Sequence, residues 1–190
     1  MVASTLYLVR HGETEWSRAG RHTGTTDLPL TEDGETTAAR LAPVLAELEL
    51  STVLTSPRRR ARRTAELAGF GAAAQVDPDL AEWDYGDYEG LTTPEIRETV
   101  PDWSIWTHAV PGGESADDVA GRLDRVVRRA RTAEGATLVF AHGHSLRVLA
   151  ARWLGLAVAD GRHLYLDTAT FSVLGDDRGQ SVIVRWNVSA

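Results

Sequence analysis

Two hydrophobic patterns alternate along this chain. Short unbroken apolar runs, "TLYLV" (5–9), "TVLTS" (52–56) and "ATLVFAHGH" (136–144), predict strands covered on both faces, because a half-exposed strand would alternate instead. "AAQVDPDL" (73–80) predicts a weaker third strand between the second and the last of these. The stretches between them carry helical periods. In "TEDGETTAARLAPVLAEL" (31–48), Thr31 can cap, acids fill the first turn, and Ala39, Leu41, Ala42, Leu45 and Leu48 recur at helical spacing. "PRRRARRTAELAG" predicts a helix with Pro57 at its first position and an end near Gly69. "ESADDVAGRLDRVVRRAR" (114–131) and "SLRVLAARWLGL" (145–156) predict two more. Residues 91–110, with Trp103 and Trp106, are poor in strand signals. "FSVLGDDRGQSVIVRWNV" at the C-terminus predicts two strands around a Gly/Asp turn.

Strands alternating with helices predict an α/β fold: a three-layer α/β/α sandwich with a largely parallel central sheet. The C-terminal hairpin should lie at or near the sheet edge, where it could finish the sheet or contact a second subunit. With 190 residues and no linker or repeat, residues 1–190 are expected to form a single domain. In such sheets ligands bind outside the carboxyl ends of the strands. "LVRHG" and "VFAHGH" each bring a histidine to such an end.

Composition removes several chemistries. There is no cysteine, hence no disulfide, thiol nucleophile or Cys-based zinc site. Every one of the 20 basic residues is arginine, which excludes a Schiff base, a Walker lysine and a Ser-Lys dyad. A net charge of -7 argues against a general nucleic-acid binder. "MVASTLYLVRHG" lacks the basic n-region and long apolar run of a signal peptide, and no stretch is long enough to span a membrane. A soluble, cytoplasmic protein without membrane contact is expected.

Two strand-end histidines, each followed by glycine and the first preceded by arginine, are harder to explain as ordinary rim residues than either would be alone. Glycine there lets the backbone approach a ligand closely. In "TSPRRRARRTAELAG", most arginines suit a solvated helix face, namely Arg58, Arg59, Arg62 and Arg63. One arginine of the first turn, however, would lie near the end of the strand "TVLTS", on the same sheet edge as His11, and offer a planar fork for phosphate oxygens. "AEWDYGDYEG" (81–90) is crowded with acids and phenols. Asp84 and Asp87 suit a polar loop, but a carboxylate that faces a bound phosphate is pushed toward its protonated form and could act as a general acid.

Taken in order, "LVRHGETEW", "GRHTGTTDLPLTEDG", "TSPRRRARRTAE", "LAEWDYGDYEG", "PGGES" and "VFAHGHSLR" closely resemble the histidine phosphatase superfamily, the phosphoglycerate mutase-like fold, over roughly residues 5 to 155. The resemblance implies that His11 is the nucleophile that becomes a phosphohistidine. It implies that Arg10, Arg60 and His142 hold the transferred phosphoryl group, Arg60 being the arginine of the SPxxRAxxTA pattern. Glu82 matches the family's proton donor, and Gly143 could offer its amide. Ser17, Thr23, Gly24 and Tyr85 match positions on the substrate side, and His22 in the same loop is at best a specificity residue. Neither metal nor cofactor is implied.

The expected activity is hydrolysis of small phosphomonoesters, such as sugar phosphates, by a metal-independent phosphatase. The partner is then a small phosphorylated metabolite, and a homodimer is compatible with the hairpin. A phosphoglycerate mutase-type phosphoryl transferase is the alternative, disfavoured by the short connection between Glu82 and His142. The motifs lie nearest the sedoheptulose bisphosphatases and the broad acid phosphatases. A metal-dependent hydrolase built on His142 and His144 lacks a second paired-His motif, and the arginines would repel its cation. A phospho-ligand binder without catalysis would need neither nucleophile nor acid. "PGGES" reads mainly as a turn before the 114–131 helix, with acids favoured at its start. That helix reads as a covering layer with solvated arginines, and Trp103 and Trp106 as core or lid packing rather than a sugar platform.

Overall fold

A computed structural model describes residues 4–190. The first three residues of the segment read for a leader lie outside that range. The sheet has six strands, β1 (Leu6–Arg10), β2 (Leu50–Thr55), β3 (Gln75–Val76), β4 (Ala136–Ala141), β5 (Thr170–Asp177) and β6 (Gln180–Ser189). They are ordered β3-β2-β4-β1-β5-β6. The β3-β2-β4-β1 pairs are parallel, whereas β5 and β6 run antiparallel.

The unbroken apolar runs are explained by burial on both faces. In β1, Leu6 and Leu8 join the cluster under α5 (Ala116–Thr132) and α6 (Gly143–Trp153), while Val9 joins Leu41 and Leu45 of α2 (Glu32–Leu45) on the other face. β4 repeats the alternation, with Val139 and Ala141 on the first side and Leu138 and Phe140 on the second. α3 (Arg59–Leu67) packs beside α2. Two layers of helices therefore enclose the sheet, and each fully buried Leu or Phe contributes about 1.5–3 kcal/mol relative to exposure. Trp153 lies within the α5–α6 side, its indole N–H donating to Gly175 O at 3.2 Å.

Several elements differ from the sequence expectation. Pro57 precedes α3 rather than opening it: Arg58 is the cap residue and the helix begins at Arg59. The third strand shrinks to Gln75–Val76, because Asp77 accepts from Asp79 N–H and turns Pro78–Leu80 into a 3₁₀ segment. Two short helices had no periodic signal, α1 (Glu15–Arg18) and α4 (Thr93–Arg97), and both begin with capping boxes. The hairpin turn is Arg178–Gly179, both at positive φ, with Asp176 and Asp177 still in β5.

The 114–131 helix starts two residues later than its acids suggest, at Ala116, with Ser115 as cap and Glu114 outside. Its arginines are not all solvated. Arg122 is buried and donates to Asp79 O, Ala81 O and Glu82 O while pairing with Glu114. Arg58 is likewise only half-exposed, and its Nε is buried. Trp103 is core, whereas Trp106 is half-buried beneath the Arg147 guanidinium at 4.5 Å. Among the described residues no helix is long and apolar enough to cross a membrane.

Candidate active site

The parallel strands end level with one another. Arg10 pairs with Ala141 and Thr55 with Phe140, so the residues that follow emerge on one edge. His11 N–H still donates to Ala141 O at 3.0 Å, and Ser56 N–H to Phe140 O at 2.9 Å. That register brings Arg10–His11, Ser56 and His142 together from three distant parts of the chain. Gly12 follows because a Cβ there would lie 2.4 Å from Gly34 O, where the start of α2 crosses the strand end.

His11 is buried, and its Nδ1 lies 2.7 Å from Gly12 O. A carbonyl only accepts, so Nδ1 carries the hydrogen and Nε2 keeps its lone pair. Burial, with Arg60 and Arg10 nearby, holds the His11 imidazole well below its usual pKa. It is therefore neutral, as a nucleophile must be.

Arg60, fully buried, donates from Nε to His142 Nδ1 (3.1 Å), from one terminal nitrogen to Thr26 O, and from the other to Thr23 O and Gly24 O. These contacts use at most four of its five N–H hydrogens. Because Arg60 can only donate, His142 carries its hydrogen on Nε2 and donates to Ser56 Oγ at 2.7 Å. The His142 ring stands edge-on to His11 with centroids 5.1 Å apart. Burial and Arg60 hold His142 well below its ordinary pKa as well. Arg60 and His142 thus form a bonded pair behind His11 rather than part of the open wall.

The open wall encloses about 280 Å³. Arg10, His11, Ser17, His22, Thr23, Glu82, Tyr85 and Gly143 line it, as the sequence suggested. Gly24 does not; its N–H donates to the Glu89 carboxylate and a Cβ there would strike Trp83 O. Ser17 spends its hydroxyl on the Thr14 cap of α1. Glu82 accepts from Trp83 N–H and Ser145 N–H at Oε1 and from His144 N–H at Oε2, at 2.8 to 3.0 Å. Its carboxylate is therefore fixed at the start of α6.

Arg147, His144, Tyr165 and Arg21 also line the cavity and were not read from the sequence as substrate-side residues. Arg147 was findable, one turn into a helix that starts at a strand-end glycine. Tyr165 lies in a segment without periodicity, and no sequence signal marks it. Tyr85 Oη and His144 Nδ1 are 2.5 Å apart. Burial raises the Tyr85 pKa well above its usual value and lowers that of His144, so both are neutral. Burial also lowers His22 to about 4. A wall of neutral hydrogen-bonding rings and the guanidiniums of Arg10, Arg21 and Arg147, with one carboxylate, suits an anion that also carries hydroxyls. Among the described residues no cluster of three or more His, Cys, Asp or Glu side chains is arranged to hold a metal ion.

Residues 6–189 match the family model described as histidine phosphatase superfamily (branch 1). The chain belongs to the histidine phosphatase superfamily. Over 178 residues it is 47% identical to an acid phosphatase from Mycobacterium tuberculosis, covering 92% of this chain and 87% of the relative. It is 39% identical over 183 residues to the sedoheptulose 1,7-bisphosphatase of Saccharomyces cerevisiae, covering 80% and 68%. The solved structure of a mycobacterial glucosyl-3-phosphoglycerate phosphatase in complex with VO3 superposes with a TM-score of 0.87 at 32% identity, covering 98% of this chain and all of that one. Family and relatives together make this histidine phosphatase chain a phosphatase. The fold and the family expected from the motifs are both borne out.

Proposed function

We propose that the chain hydrolyses small phosphomonoesters of the sugar-phosphate kind in two steps through a phosphohistidine at His11. In the first step His11 Nε2 attacks phosphorus, the bond from phosphorus to the ester oxygen breaks, and Glu82 gives its proton to the departing alkoxide. In the second, water attacks the phosphohistidine, Glu82 takes a proton from that water, and phosphate leaves His11 neutral again. Arg10, the fifth N–H of Arg60 and the positive field of the Arg60–His142 pair offset charge on the three equatorial phosphoryl oxygens.

One observation carries this reading most strongly. An imidazole is kept neutral first by its burial and then by two nearby guanidiniums, while a carbonyl fixes which nitrogen can attack. The names of the relatives support a sugar phosphate or a phosphorylated glyceric acid derivative as substrate. Arg147, His22 and Tyr85 would face the leaving group, and Gly143 the phosphoryl side. A single domain over residues 1–190, a cytoplasmic setting and a homodimer through the open edge of β6 belong to the same proposal.

Phosphate release across sugar phosphates, phosphoglycerates and nucleotides, in excess chelator, tests it. Turnover should be strongest on sugar phosphates or phosphoglycerates and should survive chelation. Transfer between phosphoglycerates faster than release to water would favour the mutase alternative instead.

A further inference from the structure

We propose that Asn187, from a bulge in β6, is a positioning residue for Arg10; the proposal rests on the phosphatase reading above. The β5–β6 ladder pairs Phe171 with Val188 and then Val173 with Arg185. β6 therefore places Trp186 and Asn187 opposite the single residue Ser172. Bulges of this kind re-aim side chains beside active sites. Asn187 sits at φ 55°, a left-handed conformation that asparagine tolerates better than most residues. Its N–H, displaced from the ladder, donates to Ser172 Oγ at 3.0 Å.

The Asn187 side chain reaches the segment that follows the 3₁₀ turn at 158–163. Its Oδ1 accepts from Asp167 N–H at 2.7 Å, and its Nδ2 donates to Asp167 Oδ2 at 3.1 Å. Beside it, Trp186 Nε1–H donates to Tyr165 O at 2.6 Å. The C=O of Leu166 and the N–H of Asp167 belong to the same planar trans peptide and point in opposite directions. That C=O accepts from an Arg10 terminal nitrogen at 2.5 Å. One rigid peptide thus spans the gap between Asn187 and Arg10. Trp186 holds the adjoining peptide, and the Leu166 side chain is anchored in the core.

Arg10 is gripped from its backbone too. Ala169, at φ 52°, donates its N–H to Arg10 O (3.1 Å) and His11 O (3.2 Å). Arg10 Nε is buried without a partner among the described residues, beside Gly143, where a Cβ would approach it to 3.4 Å. The direction of that N–H toward a phosphoryl oxygen depends on where Leu166 O holds the other end of the guanidinium. The Asn187 and Trp186 bonds are solvent-exposed, so each adds little to global stability. Their effect should appear in anion recognition.

Asn187→Gly tests this cleanly, because glycine keeps the left-handed backbone and removes only the side-chain bonds. Competitive inhibition of p-nitrophenyl phosphate hydrolysis by vanadate reports the phosphoryl site. The vanadate Ki and the KM should each rise about tenfold, kcat should fall less than threefold, and Tm should stay within about 4 °C of wild type. Asn187→Ala should show the same Ki with a lower Tm, since alanine strains the left-handed backbone. Trp186→Phe keeps the ring, removes one N–H, and should raise Ki about threefold; it decides the matter if the Asn187 variants do not fold. Wild-type Ki in Asn187→Gly and Trp186→Phe would overturn the proposal, whatever happens to Tm. A wild-type enzyme that neither releases phosphate nor is inhibited by vanadate would instead overturn the phosphatase reading, and this proposal with it.

Discussion

Replacing Glu82 by glutamine separates its two jobs. The loop that carries it is held by Arg122, which donates to the carbonyls of Asp79, Ala81 and Glu82, so the backbone should stay in place. The carboxylate accepts three N–H groups, two at Oε1 and one at Oε2. Glutamine has one acceptor oxygen. Its better orientation keeps Trp83 and Ser145 satisfied and turns its NH₂ toward His144 N–H, donor against donor. One unsatisfied donor costs about 1–3 kcal/mol. For a chain of this length that is a Tm loss of roughly 2–12 °C, most of it avoidable if the half-buried His144 N–H finds water. The catalytic loss is separate. General acid help is worth about 10²–10⁴-fold, or roughly 3–5 kcal/mol, on a poor leaving group. With a sugar phosphate, kcat/KM should therefore fall at least 10²-fold. With p-nitrophenyl phosphate, whose phenolate leaves with little protonation, the fall should be less than about tenfold. KM should change little, because glutamine is neutral, as is the protonated acid that the first step requires. Steady-state kinetics on both esters, well below the measured Tm, provides the comparison. Equal losses on the two substrates would refute the proton-donor role.

Arg60→Ala should lower kcat/KM about 10²-fold or more, as expected for removing a preorganised donor, and should also destabilise the Thr23–Thr26 loop that Arg60 ties to His142. Arg63→Ala breaks only exposed pairs with Glu35 and Glu66 and should change kcat/KM less than about threefold; the reverse order would mean that the SPxxRAxxTA register has been misassigned. The buried histidines predict acid lability. His11, His142 and His144 are held well below the ordinary imidazole value of 6.5, and His22 at about 4, so each is neutral when folded and charged when unfolded within that window. Stability present above pH 6.5 is lost as pH falls toward the folded values, by about 1.4 kcal/mol per pH unit for each such histidine. Thermal melts from pH 7 to 4.5 should show a steep fall that is shallower in His22→Gln; a flat profile would contradict neutral burial of these rings.

The sheet was legible because two-sided burial leaves a plain mark. The runs ending at Arg10 and Ala141 contain almost no polar residue, and each divides its side chains between two cores. His11 and His142 were legible for the same reason, as the first residues past the ends of such runs. What stayed hidden depends on contacts between distant segments. Arg122 reads as a solvated helix arginine until the 79–82 loop is folded against it. Asn187 reads as a strand residue, because a bulge has no periodic signature. Gly24 resembles a ligand-facing glycine, yet its closeness to Trp83 O makes it a packing glycine. α1 and α4 are too short for a period, and only their caps could have announced them. The third strand was overread because Val76 and Leu80 flank a proline that ends the ladder.

The central claim is that His11 Nε2 forms a bond to phosphorus. Rapid quenching of the enzyme with a ³²P-labelled phosphomonoester, followed by peptide mapping, tests it most directly. The label should appear on the peptide containing His11, resist alkali and be lost in acid. His11→Ala should carry none, and Glu82→Gln should accumulate label if the water step is slowed more than the first. Label retained at the wild-type level in His11→Ala, or turnover in that variant at the wild-type rate, would contradict the account.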